Sequence, residues 1–307
     1  MVHTANKIPT VGYSRVDRIF EVFLRIFLVF VGLVTAYPLY YVIISSLSDA
    51  SPVEMGAVLW FPMDSDRKLG ITWASYGIVL SKNQFWISLA NSFFYTIVGT
   101  VYAMIVTTGA AYALSRKQFP LRRLLGLALV TSMWLHPGFI PEYLNFKDLG
   151  IINNRWGMIT SWAASPFYVI LMRNYFESIP KELDESARID GANDFRIFTS
   201  IYLPLSTPAL LTIAIYYAVG KWNGFFWSLV LLRDFDLINL QVYVKQMAID
   251  AQIQTEAVAS MVEVGQSHSA ETIKIALIVC SLIPVVVSFP LVQRFFSKGI
   301  MLGSVKE

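Results

Sequence analysis

Apolar residues do not alternate along this chain; they come in long uncharged runs separated by polar connectors. Six such runs approach the roughly 20 residues that a helix needs to cross a bilayer core, at 26–48, 84–115, 124–141, 156–172, 197–220 and 275–293. The fourth is the shortest, and the fifth continues past Lys221 to residue 232. Each predicts a membrane-spanning helix. Pro38, Pro284 and Pro290 inside these runs do not argue against that, because neighbouring helices in a bundle can satisfy the carbonyls that a proline frees. The first run follows Arg15, Arg18 and Arg25 like a secretory signal, but it is too long and has no small-x-small cleavage site before Ser45, so a retained span is expected.

Composition agrees with this pattern. Of 307 residues, 55% are hydrophobic and 15% charged, with a mean hydropathy of +0.55. A soluble domain carries roughly a quarter of its residues as charges to solvate its surface, so this chain needs another solvent. A formal charge of +3, with no basic block, excludes a nucleic-acid partner. One cysteine, Cys280, excludes a disulfide framework, and His3, His136 and His268 lie far apart without metal-ligand spacing, so no metal site is expected.

Six spans place both termini on one side, and the basic residues say which. Arg116, Lys117, Arg122 and Arg123 sit between the second and third runs without an acid among them, and Arg173, Lys181, Arg188 and Arg196 sit between the fourth and fifth. With Lys7, Arg15, Arg18, Arg25, Arg294, Lys298 and Lys306 of the two terminal segments, this side holds fifteen; the alternate connectors are longer yet hold fewer, at Arg67, Lys68, Lys82, Lys147, Arg155, Arg233 and Lys245. The positive-inside rule therefore predicts cytoplasmic termini and a cytoplasmic connector at 177–204. The expected organisation is a cytoplasmic segment 1–18, a six-span domain 19–296 with an outer loop at 233–271, and a cytoplasmic tail 297–307.

The 177–204 connector is far longer than a hairpin needs. Ser178 is expected to cap a helix carrying Glu182, Asp184 and Glu185 near its positive end, with Asp184 and Arg188 spaced to pair. Gly191 is the expected stop, and Asn193 or Asp194 the cap of a second helix on which Phe195, Phe198 and Tyr202 share a face. Helix physics alone leaves two readings open: a docking surface for another protein, or a connector packed under its own bundle.

Glu185-Ser186-Ala187, three residues, Gly191, nine residues, then Ile201-Tyr202-Leu203-Pro204 resembles the EAA loop of ABC importer permeases, with Ser for the second small residue. The stretch 179–208 is similar to the carbohydrate branch that includes the MalG-like maltose permease subunit, and the ending from Arg294 to Glu307 is similar to permeases for complex and multiple sugars. The resemblance implies an all-α, six-helix type I importer permease in a bacterial cytoplasmic membrane. It would pair with a second permease subunit as a heterodimer, with two ATPase subunits docked on the EAA loops, an extracytoplasmic solute-binding protein delivering the sugar, and lipid around the spans. The ATPase contact would fall on Glu182, Glu185, Ser186, Ala187, Asp190 and Gly191, and the tail would reach the ATPases through Gly299, Gly303 and Lys306. The branch also uses a loop in the 233–271 region to reach its binding protein; an ordinary solvated loop is the other reading. No GxxxxGK[ST] phosphate loop is present, so ATP and Mg belong to the partner ATPases; the chain is expected to bind no cofactor and to catalyse nothing.

Ionisable groups inside spans usually face a cavity or a partner, which singles out His136 and Lys221, and with Lys221 the adjacent Trp222 and Asn223, as residues of a solute path. Tyr216 and Tyr217 are further candidates for a sugar contact; interfacial anchoring of these aromatics and snorkelling of Lys221 are the competing reading. A permease for another solute, such as a peptide or amino acid, is the alternative function. A secondary transporter fits less well, because the spans lack the carboxylates that ion coupling needs.

Overall fold

The computed structural model describes the backbone of residues 15–135, 137–258 and 269–303, and among these it is helical, with one isolated β-bridge between Met63 and Leu69. In chain order the helices are α1 (Arg15–Ser46), α2 (Ala50–Glu54), α3 (Ala74–Ser81), α4 (Asn83–Ser115), α5 (Arg122–Trp134), α6 (Phe139–Asp148), α7 (Arg155–Thr160), α8 (Pro166–Glu177) and α9 (Lys181–Ile189). They continue with α10 (Asp194–Ile197), a π-helical turn at Phe198–Tyr202, α11 (Leu203–Leu205), α12 (Thr207–Trp222), α13 (Phe225–Leu231), α14 (Leu240–Val258) and α15 (Ala270–Gly303). The chain divides into two compact units, one of residues 1–75 and 263–279, the other of residues 76–262 and 280–307.

In the first unit Ile44, Val53, Val58 and Ile275 form a small core. Ser48 anchors the chain beside it, donating to the Ile44 carbonyl at 2.8 Å and accepting from the Met63 amide at 3.1 Å. The apolar window of α1 buries none of its residues within the chain, so its surface is left to lipid or to another subunit. Pro38 in α1, and Pro284 and Pro290 in α15, are accommodated within continuous helices, as the sequence predicts.

The second unit is organised on α4, against which α5, α7, α8, α12 and α14 pack. Its buried positions include Ser88, Ser92, Tyr95, Gly99, Ala103, Thr107, Ala111 and Leu114, three or four residues apart and mostly small. Small residues let helix backbones approach closely, which matters in lipid because apolar burial there gives helices no reason to associate. Phe93, Ile97, Val101 and Ile105 line the opposite, exposed face. Val169, Met172 and Phe176 of α8 and Ile213 and Tyr217 of α12 complete the core.

Only α1, α4 and α15 are long and apolar enough to cross a bilayer as continuous helices among the described residues; a bent pair makes a fourth. The other apolar runs are broken. The 124–141 run splits into α5 and α6: α5 has 13 residues, about 20 Å at 1.5 Å per residue, and Pro137 and Gly138 (φ +88°) interrupt it. The 156–172 run splits into α7 and α8 across a turn that holds Trp162 at φ +52°. The fifth run bends by 82° between residues 194–205 and 207–222, where Pro204 and Pro208 flank Ser206. Proline and glycine pattern these breaks, whereas hydropathy averages across them.

Gly157 sits where α7 crosses the preceding loop. A Cβ there would lie 2.1 Å from the Ile151 carbonyl oxygen, whereas Gly109 on the outer face of α4 has no neighbour within 4 Å. In thermal unfolding of detergent-solubilised protein, Gly157→Ala should lose about 1–3 kcal/mol, the range of an overpacked site, and Gly109→Ala should be neutral or slightly stabilising. Equal stability of the two variants would show that the Gly157 contact is not a tight one.

Candidate coupling site and cavity

The EAA segment is built from local signals and then fastened by distant ones. α9 ends at Gly191, whose φ of +78° is the left-handed conformation that a Cβ disfavours. The Ala192 amide reaches back to the Ala187 carbonyl at 2.9 Å and the Gly191 amide to Arg188 at 3.0 Å, the two bonds of a Schellman stop. Asn193 caps the next helix, accepting from the Arg196 amide at 2.8 Å. Ser178 does not cap α9. Its hydroxyl donates to the Tyr175 carbonyl at 2.7 Å, and Pro180 occupies the cap position, because the chain first has to close α8.

Asp184 and Arg188 pair at 3.5 Å as their spacing predicts, and Arg188 also bonds the Asp194 carboxylate, which raises the Arg188 pKa. The stronger fastening comes from Arg116, just beyond the end of α4. Its guanidinium donates to Asp184 at 2.9 Å, with both side chains 17% exposed, and lies over the rings of Tyr112 and Tyr202 at 4.3 and 4.6 Å. It also bonds both phenols, and the Tyr112 hydroxyl donates onward to the Asp194 carbonyl at 3.1 Å. Burial lowers the Arg116 pKa, but the bonds to Tyr112 and Asp184 outweigh it and hold the pKa above its ordinary value. Glu177 closes the base, accepting from Arg122 at 2.9 Å and Arg173 at 3.0 Å.

With its inner side held in this way, α9 turns Glu182, Glu185, Ser186 and Ile189 outward, all exposed and at helical spacing; Ile189 is 86% exposed. Neither Glu182 nor Glu185 has an ion-pair partner among the described residues. Ala187 packs against the core, and Asp190 is the exposed C-cap. Phe198 and Tyr202 pack on Tyr112 and Phe176, but Phe195 is 73% exposed, so the expected three-residue face is only two. The π-helical turn at 198–202 shifts the register there.

Away from this end, a cavity of about 410 Å³ opens beside α8 and α12. Tyr168 and Lys221 lie nine and fourteen residues along their helices from the EAA end, about 13 and 21 Å at 1.5 Å per residue. Tyr168 stacks on Tyr216 at 5.9 Å, and Trp162 lies against Trp227 at 4.4 Å. Lys221 donates to the carbonyls of Ser161 at 3.3 Å and Ile159 at 3.5 Å, and its stem crosses α4 at Gly99, where a Cβ would sit 3.3 Å away. Trp222 instead packs edge-on against Phe93, and Asn223 is the exposed C-cap of α12. The structure thus brings Lys221 of the expected solute path to the cavity and leaves Trp222 and Asn223 out of its wall. Gly299 and Gly303 lie in the last turns of α15, whereas His136 and Lys306 fall outside the described residues. Trp162, Tyr168 and Trp227 are not legible from the sequence, since aromatics are common at membrane interfaces.

Residues 233–240 of the expected outer loop are tied to their neighbours, whereas 259–268 lie outside the described residues. Asn91 donates to the carbonyls of Asp236 and Ile238, Tyr95 to Leu237, and Asn153 accepts from the amides of Arg233 and Asp234. A helix, α14, follows, so this part is not a plain solvated loop.

An all-helical membrane bundle with a braced EAA helix is the architecture of a type I importer permease. The chain matches the binding-protein-dependent transport system inner membrane components over residues 10–302 and belongs to that family. It is 34% identical to protein LplC of Bacillus subtilis strain 168 over 98% of this chain and 99% of that one. It is also 34% identical to the polygalacturonan/rhamnogalacturonan transport system permease protein YtcP of the same organism, over 94% and 99%. Among solved structures it is similar to a chain of a bacterial ABC transporter involved in the import of the acidic polysaccharide alginate, at 41% identity and a TM-score of 0.84, over 94% of this chain and all of that one.

The brace makes a testable distinction between two neighbouring acids. Asp184→Ala strands a mostly buried guanidinium and should lower the stability of the solubilised protein by about 1.5–3 kcal/mol, the range for hydrogen bonds to charged groups. Glu185→Ala removes an exposed carboxylate and should stay within about 0.5 kcal/mol. Thermal unfolding measures both, and equal losses would remove Asp184 from the brace.

Proposed function

We propose that this chain is the transmembrane permease subunit of an ATP-driven, binding-protein-dependent importer of oligosaccharides or complex sugars. The observation that carries the reading is α9: an EAA helix whose inner acid, Asp184, is held by Arg116 while Glu182, Glu185, Ser186 and Ile189 face outward. A helix so held can transmit a push instead of folding away from it. The family supports binding-protein dependence, and the saccharide class rests on the relatives named for polysaccharide transport.

In this proposal a second permease subunit pairs with the chain, and two ATPase subunits, which carry ATP and Mg, dock on the EAA helices. Both termini and the 177–204 connector are cytoplasmic, as the basic connectors support. Closure of the ATPases displaces α9 as a rigid element, and two routes carry the movement inward: the Asp184–Arg116 ion pair into α4, and the chain itself through the bent 194–205 segment into α12. The end of α15 from Gly299 onward is a further ATPase contact. Lys221 belongs to the solute path.

Orientation can be read in intact cells after Cys280→Ser removes the one native thiol. Asp66→Cys, which replaces an exposed carboxylate, should react with an external impermeant maleimide, and Gln118→Cys should not. Labelling at 118 alone would put the EAA helix on the wrong side for ATPases.

Docking is tested by Glu185→Lys, which reverses an outward charge without touching the brace. The variant should insert normally but lose most of the ATPase that co-purifies with the wild type, with uptake falling in parallel. Full co-purification and uptake would exclude Glu185 from the contact.

A further inference from the structure

Resting on the saccharide-importer reading, we infer that the cavity beside α8 and α12 is a binding site for an acidic saccharide, with Lys221 as the counter-ion of a uronate carboxylate. The wall holds one charged side chain, Lys221, and neither Asp, Glu, Asn nor Gln. Neutral sugar sites present carboxylates and amides to ring hydroxyls, because a carboxylate accepts from the hydroxyl and an amide both accepts and donates. This wall offers instead a cation, the Ser165 hydroxyl, the Tyr168 phenol and aromatic faces.

Lys221 meets only carbonyl oxygens, at 3.3 and 3.5 Å, and no carboxylate stands within ion-pair distance among the described residues. An ammonium has three donors and two long bonds here, so one donor and the full charge remain for a ligand. A charge set in an apolar wall is costly unless paired, and an anionic solute passing through would pair it. The aromatic pairs supply the second half of the specificity. Tyr168 and Tyr216 stack with only 13° between their planes, and Trp162 and Trp227 lie beside them with centroids 4.4 Å apart and planes tilted by 42°. Flat rings of this kind pack against the C–H faces of a pyranose, which a small inorganic anion lacks.

Tyr217 has a different task. Its hydroxyl accepts from the Ser165 amide at 2.9 Å and bonds Thr107 at 2.7 Å, so it holds the turn that places Trp162 and Ser165 in the wall. Gly99 does the same for Lys221, since a larger residue would press on the lysine stem.

The competing explanation is that Lys221 serves only to cap the Ile159 and Ser161 carbonyls at the break between α7 and α8. The two are separated by titrating the detergent-solubilised importer complex, without its binding protein, by calorimetry with digalacturonate and with its dimethyl ester, which removes both charges and keeps the rings. The wild-type complex should bind the acid at least ten-fold more tightly than the ester. Lys221→Met should abolish that preference, and Lys221→Arg should retain it. A capping role alone predicts the same affinity for acid and ester in the wild type, and that result overturns the proposal. The wild-type comparison stands even where Lys221→Met fails to assemble. Binding of the ester and of maltose without preference for the acid would overturn the inference and leave the saccharide reading intact. Failure to bind or import any of the three would overturn both.

Discussion

Ser88, Ser92, Gly99, Ala103, Thr107 and Ala111 make one face of α4 mostly small, with Tyr95 and Leu114 among the large exceptions, and the packing of α7, α8, α12 and α14 depends on the close approach this allows. In lipid the outside of a helix is as well solvated as its interface, so helices associate through dispersion contacts and interhelical hydrogen bonds. Small residues favour the first, and the hydroxyls of Ser92 and Thr107 contribute the second, to the Leu240 amide and to Tyr217. The same face admits the Lys221 stem at Gly99, so the packing surface and the cavity wall share a helix.

Breaking three of the apolar runs creates a problem that a straight bundle would not have. Backbone groups released from helices at membrane depth need other partners. Lys221 supplies donors to the Ile159 and Ser161 carbonyls, Tyr217 accepts the Ser165 amide, and Ser206 donates to both Tyr202 and Leu203 at the 82° bend. These breaks are what open an aromatic cavity between helices that would otherwise close on one another. Irregular backbone is tolerated there because it is buried in protein or lines that cavity.

At the other end the requirement is stiffness. Arg116 joins α4 to α9 through an ion pair, two phenols and two ring faces, so the EAA helix is tied to the helix on which the bundle packs. An arginine suits this position because its planar guanidinium can stack and form several hydrogen bonds at once, which a lysine cannot. The outward stripe of α9 is thereby free for a partner, while the inward side is committed to the chain itself.

What was legible in the sequence was local. Uncharged runs reveal a membrane protein, the Gly191 stop and the Asn193 cap follow from residues within one turn, and Asp184 and Arg188 meet because they are four apart on one helix. The EAA spacing carried the family because it, too, lies within one connector. Other features needed the assembled fold. Arg116 and Asp184 lie 68 residues apart, and Lys221 lies 60 residues from Ser161, so no periodicity connects them. Hydropathy measures average transfer into lipid and cannot see where a helix breaks, which is why 124–141 and 156–172 read as whole spans. Ser178 and Phe195 each have a local rule in their favour that another feature overrides: Ser178 closes α8 through the Tyr175 carbonyl three residues back, and a π-helical turn begins at Phe198, just beyond Phe195.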